Sequence, residues 1–281
     1  MSKTTKPGKI NHPSPETRNI FKQLSDDLSL QEKLFFSWLC CVRFLPFIAK
    51  PGNFDYWINI TASDKGDFRQ EYLYTLFHSI DLVAKTVLDT HSIRDFIING
   101  SRSEAHRKSF AIERKMHNIT NVKNDSNENY NMSNFESSCV ITAIASVNYS
   151  PFYLQLNDGC NENNLVEAVN HSMHMTYAQA KVLSDNTSYP LEQLLIDDFE
   201  LIKKDKISDI SHDTKFYGPI WGNFMIALQD VGCEYWANYY ASIFAQGFVM
   251  TESNLKELDR RLNVPQEIME QGAAAVGRYM S

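Results

Sequence analysis

The chain has 281 residues, of which 43% are hydrophobic, 12% aromatic and 22% charged, with a formal net charge of −7. It is too apolar and aromatic for a disordered chain, too poor in cysteine for a disulfide scaffold, and too poor in glycine and proline for a collagen. The acidic balance argues against a dedicated nucleic-acid packer, leaving a soluble globular protein large enough to bury its own core.

Residues 1–15 read as a basic, Pro- and Lys-rich disordered tail with no apolar stretch behind its lysines, so not as a secretory signal. Ser29 and Glu32 have capping-box spacing and predict a helix that runs into Pro46, where the missing amide should end or kink it. Within it, Phe35 to Ile48 is the most apolar run, but it is too short and too interrupted, by Arg43 and Pro46, to span a membrane. Asp67 to Leu88 is the cleanest segment. Phe68, Tyr72, Leu73, Leu76, Phe77, Ile80, Val83, Ala84, Val87 and Leu88 recur at three and four, and Gln70, Glu71, Asp81 and Lys85 are expected off that stripe. A further helix is predicted over 102–116.

Residues 117–134 break the pattern. Seven asparagines, from Asn118 to Asn134, stand among Asp, Ser and Glu, and asparagine resists regular structure by bonding its own backbone. The segment reads as a long loop between an N-terminal helical half, 16–116, and a C-terminal half, 135–281, together making one continuous domain. Helices resume over 135–147, along the stripe Leu165, Val169, Met173, Tyr177, Ala180 and Leu183, and over 191–203 behind Pro190. Segments 221–231 and 235–244 read as an antiparallel pair joined at Gly232. Segments 254–262 and 265–280 close the chain, the last with Asn263 as cap. The fold class predicted is all-α: an irregular bundle of about ten helices, without hairpin signals or a fixed-period repeat.

The candidate chemistry is sparse. Cys40, Cys41, Cys139, Cys160 and Cys233 are odd in number and form no CxxC pair, which points to a reducing, cytoplasmic setting. Nucleophile-elbow, phosphate-loop and dinucleotide signatures are missing, so no cofactor is expected. His171 and His174 stand three apart on a predicted helix, a spacing that can aim two imidazoles at one ion. His171 lies about 200° around the helix from core-facing Met173, so the pair reads as surface histidines and no metal is expected. Asp197, Asp198 and Glu200 form an acidic cluster that could serve acid–base chemistry, but Glu200 and Lys204 are also an ordinary i, i+4 pair on a solvated face.

Two features point to partners. Arg107 and Lys108 recur at Arg114 and Lys115, seven residues on, and place a basic face within the segment 101–123, whose net charge is +4. That face would suit an acidic protein or, less favoured, a phosphate backbone. The second feature is the aromatic concentration between Phe216 and Phe248, which includes Trp221, Trp236, Tyr239 and Tyr240. Aromatics at helical spacing are usually core, yet tyrosine and tryptophan are enriched at interfaces, so part of this arc is a candidate partner face.

The series Gly218, Pro219, Ile220, Trp221, Phe224, Leu228, Gly232, Tyr235, Trp236, Tyr239, Tyr240 and Gly247 resembles a helical module of bacterial proteins linked to conflict and defence systems. Leu39 to Phe47 is similar to the amino-terminal part of that module. Here the alanine-rich portion is reduced to Ala168, Ala178 and Ala180, and Tyr239 stands for the second tryptophan of the motif. The resemblance implies a bacterial or phage setting and a non-catalytic role, such as an immunity protein or an accessory subunit in antiviral defence. A helical-bundle enzyme, or a small-ligand sensor, with a pocket near His171, His174, Asp197, Asp198 and Glu200 is the alternative. The partner's identity and the oligomeric state stay open.

Overall fold

A computed structural model describes residues 27–58, 66–88, 136, 139–144, 147, 162–249 and 251–281. The tail 1–15, the predicted helix 102–116 and the loop 117–134 lie outside the described residues. Among the described residues nine α-helices are bounded, in order: α1 Leu30–Phe44, α2 Arg69–Leu88, α3 Glu162–Asn186, α4 Leu191–Lys203, α5 Pro219–Asp230, α6 Glu234–Ala245, α7 Glu252–Leu262, α8 Gln266–Met269 and α9 Ala273–Met280. Residues 136, 139–144 and 147 are helical too, and the described residues contain no strand. The all-α reading holds.

α1 is the spine. Its capping box forms as the spacing requires: the Glu32 amide donates to Ser29 Oγ at 3.3 Å, and the Ser29 amide donates to Glu32 Oε2 at 2.7 Å. Pro46 stops the α-helix, and the chain tightens into a 3-10 turn at Leu45–Ala49. Buried residues surround α1 on every side, as expected of a helix apolar around its circumference, because α2, α3 and α4 all pack against it. The resulting core is continuous. It joins Leu34, Phe36 and Leu39 to Phe77, Met173, Leu195, Phe224, Trp236, Phe244 and Val276, so side chains from before and after the predicted loop share one cluster.

Helix ends follow local chemistry where glycine allows it. α5 closes at Gly232 (φ 72°), with the Cys233 amide bonded to Leu228 O at 2.8 Å. α6 closes the same way at Gly247 (φ 69°), with the Phe248 amide on Ile243 O at 3.1 Å. These wraps satisfy terminal carbonyls and need a left-handed residue just past the cap. At α4 that residue is Asp205 (φ 56°).

Three expectations change. The predicted helix 265–280 is two helices, because Gly272 adopts φ 91° and interrupts it; Asn263 is the C-cap of α7 instead of an N-cap. Asp81 is not off the α2 stripe but 1% exposed, in an ion pair with Arg261. Gln70 also turns inward: its Nε2 donates to Val231 O at 2.7 Å, and its Oε1 accepts from the Ala274 amide at 2.7 Å. One amide side chain thus ties α2 to the α5–α6 turn and to the start of α9.

Candidate functional site

The acidic cluster on α4 does not act as a cluster. Leu191, Leu195, Phe199 and Ile202 face the core, and Asp198 falls in phase with them. Its carboxylate meets Arg43 of α1 in a two-pronged contact, Nε to Oδ2 and Nη2 to Oδ1, both at 2.9 Å. Asp197 is exposed and accepts from Gln193, while Glu200 sits 3.8 Å from Lys204 in the expected i, i+4 pair. On α3, His171 is exposed and His174 half-buried, either side of fully buried Met173. Asp198 is thus committed to Arg43 inside the fold while Asp197 and His171 face solvent. The described residues hold no group of three or more His, Cys, Asp or Glu arranged to hold a metal ion.

Most of the aromatic arc is core. Trp236 and Tyr240 are fully buried and Tyr239 is 7% exposed, so these three offer no surface to a partner; that part of the expectation is corrected. Trp236 stacks on Phe77 at 4.5 Å and donates its indole N–H to Ala273 O at 2.9 Å. The physical reason is position: α6 lies between α5 and α9, and its aromatic side fills the seam against α2. Trp221 alone of the four is half-buried, with its ring 4.6 Å from Phe244. Arg107, Lys108, Arg114 and Lys115 lie outside the described residues.

Sequence reasoning missed a second buried pair. Arg261 of α7 reaches Asp81 of α2 through Nε to Oδ2 at 2.7 Å and Nη2 to Oδ1 at 2.8 Å. Its guanidinium carbon lies 3.9 Å from the Tyr239 ring centroid and 5.6 Å from that of Trp236. Nη1 donates to the Tyr235 hydroxyl at 3.2 Å, and that hydroxyl donates to Glu257 Oε1 at 2.6 Å. Arg43 repeats the stacking: its guanidinium carbon is 4.2 Å from the Phe248 ring, and Tyr217 donates to its carbonyl at 3.1 Å. Phase was the available signal. Asp81 stands on an apolar stripe between Phe77 and Ala84, and Arg261 stands three residues after Leu258, on the buried side of α7.

Burial sets the electrostatics. It pushes the Asp198 carboxyl up to about 6, with the Arg43 charge and hydrogen bonds opposing it. It raises Asp81 too, again against its arginine, and lifts the Tyr239 phenol to about 12. The Cys233 thiol rises to about 12 and Cys40 well above its ordinary value, so these cysteines stay protonated, inert core groups.

One stretch of surface contrasts with this interior. α5 buries Ile220, Phe224, Ala227 and Leu228, and Asn223 Nδ2 donates to Lys50 O at 3.1 Å, which seats the helix firmly. Its outer side carries exposed Pro219, Gly222 and Ile226 beside half-buried Trp221 and Met225. Ile226, at 55%, is the most exposed large hydrophobic among the described residues. No helix of the described residues is long and apolar enough to cross a membrane.

No family model matches the chain, and neither curated proteins nor solved structures show a significant similarity to it.

Proposed function

We propose that the chain is a non-catalytic, all-helical interaction protein that binds a protein partner, as an immunity protein or an accessory subunit of a bacterial or phage conflict system. The observation that carries the reading is α5: a firmly seated helix that turns Pro219, Gly222 and Ile226 outward with Trp221 and Met225 at their flank. An apolar strip on a rigid helix suits recognition, because ordering it on binding costs little further entropy. The fate of the acidic cluster supports the same side. Asp198, which an enzyme would need free, is held by Arg43. The setting in conflict systems rests on the resemblance of the series from Gly218 to Gly247, which includes α5 itself. The basic face of Arg107, Lys108, Arg114 and Lys115 would add steering toward an acidic partner.

The test is co-purification from the native host with wild type, Ile226→Glu and a charge reversal of the four basic residues. The expected result is a stoichiometric protein partner held by wild type and lost with Ile226→Glu, with helical content unchanged in both proteins. A salt-sensitive association rate, reduced by the charge reversal, is expected for the basic face. Recovery of wild type as a monomer without a stoichiometric partner would overturn the proposal.

A further inference from the structure

α7 is fastened differently from its neighbours. Of its eleven residues only Asn254, Leu258 and Arg261 are buried, whereas α1 buries eleven of fifteen. Leu258 is its one buried aliphatic side chain, Leu262 packs partly buried against the core, and much of the remaining attachment is polar. Arg261 holds Asp81, Glu257 accepts from Tyr235, Lys85 pairs with Asp259 at 2.7 Å, and Asn254 Nδ2 donates to Gln246 Oε1 at 2.9 Å.

The place that receives Arg261 is built by other helices. Asp81 of α2 presents both carboxylate oxygens, and α6 supplies the Tyr239 ring beneath the guanidinium, the Trp236 ring beside it, and the Tyr235 hydroxyl as acceptor. A carboxylate fork, an aromatic floor and a third acceptor complement a planar guanidinium; a compact ammonium would use only part of that set. The chain leaves α6 for α7 through Gly247 and Phe248, both at positive φ, an arrangement that costs energy at the phenylalanine.

We propose that the α2–α6 seam is an arginine-recognition site filled in cis by Arg261, and that α7 is a latch that yields the site to an arginine side chain presented by another polypeptide. The existence of that second polypeptide rests on the interaction-protein reading; guanidinium selectivity and local release of α7 are properties of this chain alone. The Arg43–Asp198 pair has the same chemistry without the same freedom, since α1 is buried on every side and cannot leave without unfolding the core.

Hydrogen exchange of the full chain, read by mass spectrometry, tests the latch. The backbone amides of 255–262 are expected to exchange at least about tenfold faster than those of α6, through local opening. Ethylguanidinium chloride should speed exchange in α7 alone, and ethylammonium chloride at the same concentration should not. In Arg261→Ala the emptied site should be refilled, so that ethylguanidinium, and N-acetylarginine methylamide, raise the Tm while ethylammonium leaves it unchanged. Exchange of α7 in step with α6, or equal effects of the two cations on wild type, would overturn the proposal even if Arg261→Ala fails to fold. Failure of the Ile226→Glu capture experiment bears on the interaction reading and leaves these cation effects untouched, so the two fail separately.

Discussion

Arg43 and Asp198 meet across 155 residues of chain through two 2.9 Å hydrogen bonds, with both side chains 1% exposed. Such a pair is weak evidence for stability, because desolvating two ions costs several kcal/mol and their attraction returns only part of it. Its effect is on register: it fixes where α4 lies along α1. Arg43→Met strands a buried carboxyl and should cost about 3–5 kcal/mol in urea unfolding at pH 8. Arg43→Met with Asp198→Leu removes both charges and keeps the Tyr217 bond, which goes to the Arg43 backbone, so it should lie within about 2 kcal/mol of wild type. A double variant as unstable as the single would contradict this account of the pair.

The same carboxyl predicts a pH dependence. Burial raises Asp198 to about 6 in the folded protein, above its unfolded value near 4. A carboxyl with a raised folded pKa binds its proton more tightly when folded, so its contribution is greatest below pH ~4 and declines as pH rises through the folded value. Without Arg43 only burial and the neighbouring Asp197 charge remain, both raising the carboxyl, so the folded value climbs beyond 6 and the decline extends to higher pH. The deficit of Arg43→Met relative to wild type should therefore be small near pH 5 and grow toward pH 8. A deficit independent of pH across that range would show that Asp198 does not titrate there.

The legible and illegible parts of this fold divide by sequence distance. Ser29 and Glu32 set the start of α1 through bonds three residues long, and Gly232 and Gly247 set the ends of α5 and α6 just as locally, so the sequence shows them plainly. Gly272 looks like helix interior in the sequence because its reason lies elsewhere: it is left-handed where the backbone passes Gln70, about two hundred positions earlier. The charge of Asp81 points to solvent, although Phe77 and Ala84 put it in phase with the core. A charge on an apolar stripe announces a buried counter-charge without identifying it. Asp198 carries the same signal between Leu195 and Ile202, whereas its acidic neighbours point to a solvated face, with acid–base chemistry as the alternative. The partner-facing expectation for Trp236, Tyr239 and Tyr240 fails for a related reason: helical spacing gives the side of α6 but not that α2, α5 and α9 close over it.

Gly272 yields a direct test of that long-range constraint. A Cβ built there would lie 2.6 Å from Gln70 Cβ and 2.8 Å from its backbone carbonyl carbon, at a φ of 91° that L side chains rarely adopt. Gly272→Ala therefore combines backbone strain of about 1–2 kcal/mol with overpacking of about 1–3 kcal/mol. Loss of that size in chemical unfolding is expected, together with loosening of the bond from Gln70 to the Ala274 amide. Gln70→Ala gives the complementary measurement. It relieves the clash partner only at Cγ and beyond, so it should not rescue Gly272→Ala, because the obstructing atoms are Cβ and main chain. Rescue would mean that the approach at Gly272 is looser than the geometry states.

Asp205 offers the opposite sign. It occupies the left-handed position just past α4, where the Lys206 amide closes on Leu201 O at 2.8 Å and its own amide on Ile202 O at 3.0 Å. α5 and α6 use glycine at the equivalent position. The aspartate pays a Cβ penalty there and sets a negative charge beside the negative end of the helix dipole. Asp205→Gly removes both terms, and the added chain entropy of glycine takes back part of the gain. A net stabilisation of about 0.5–1 kcal/mol is expected by urea unfolding, with the m-value unchanged. Asp205→Asn keeps a side chain that tolerates the left-handed region and removes only the charge, so it should give a smaller gain, one that shrinks further in high salt. Stabilisation by Asn equal to that by Gly would assign the whole effect to the dipole; destabilisation by Gly would show that Asp205 makes a contact beyond the cap.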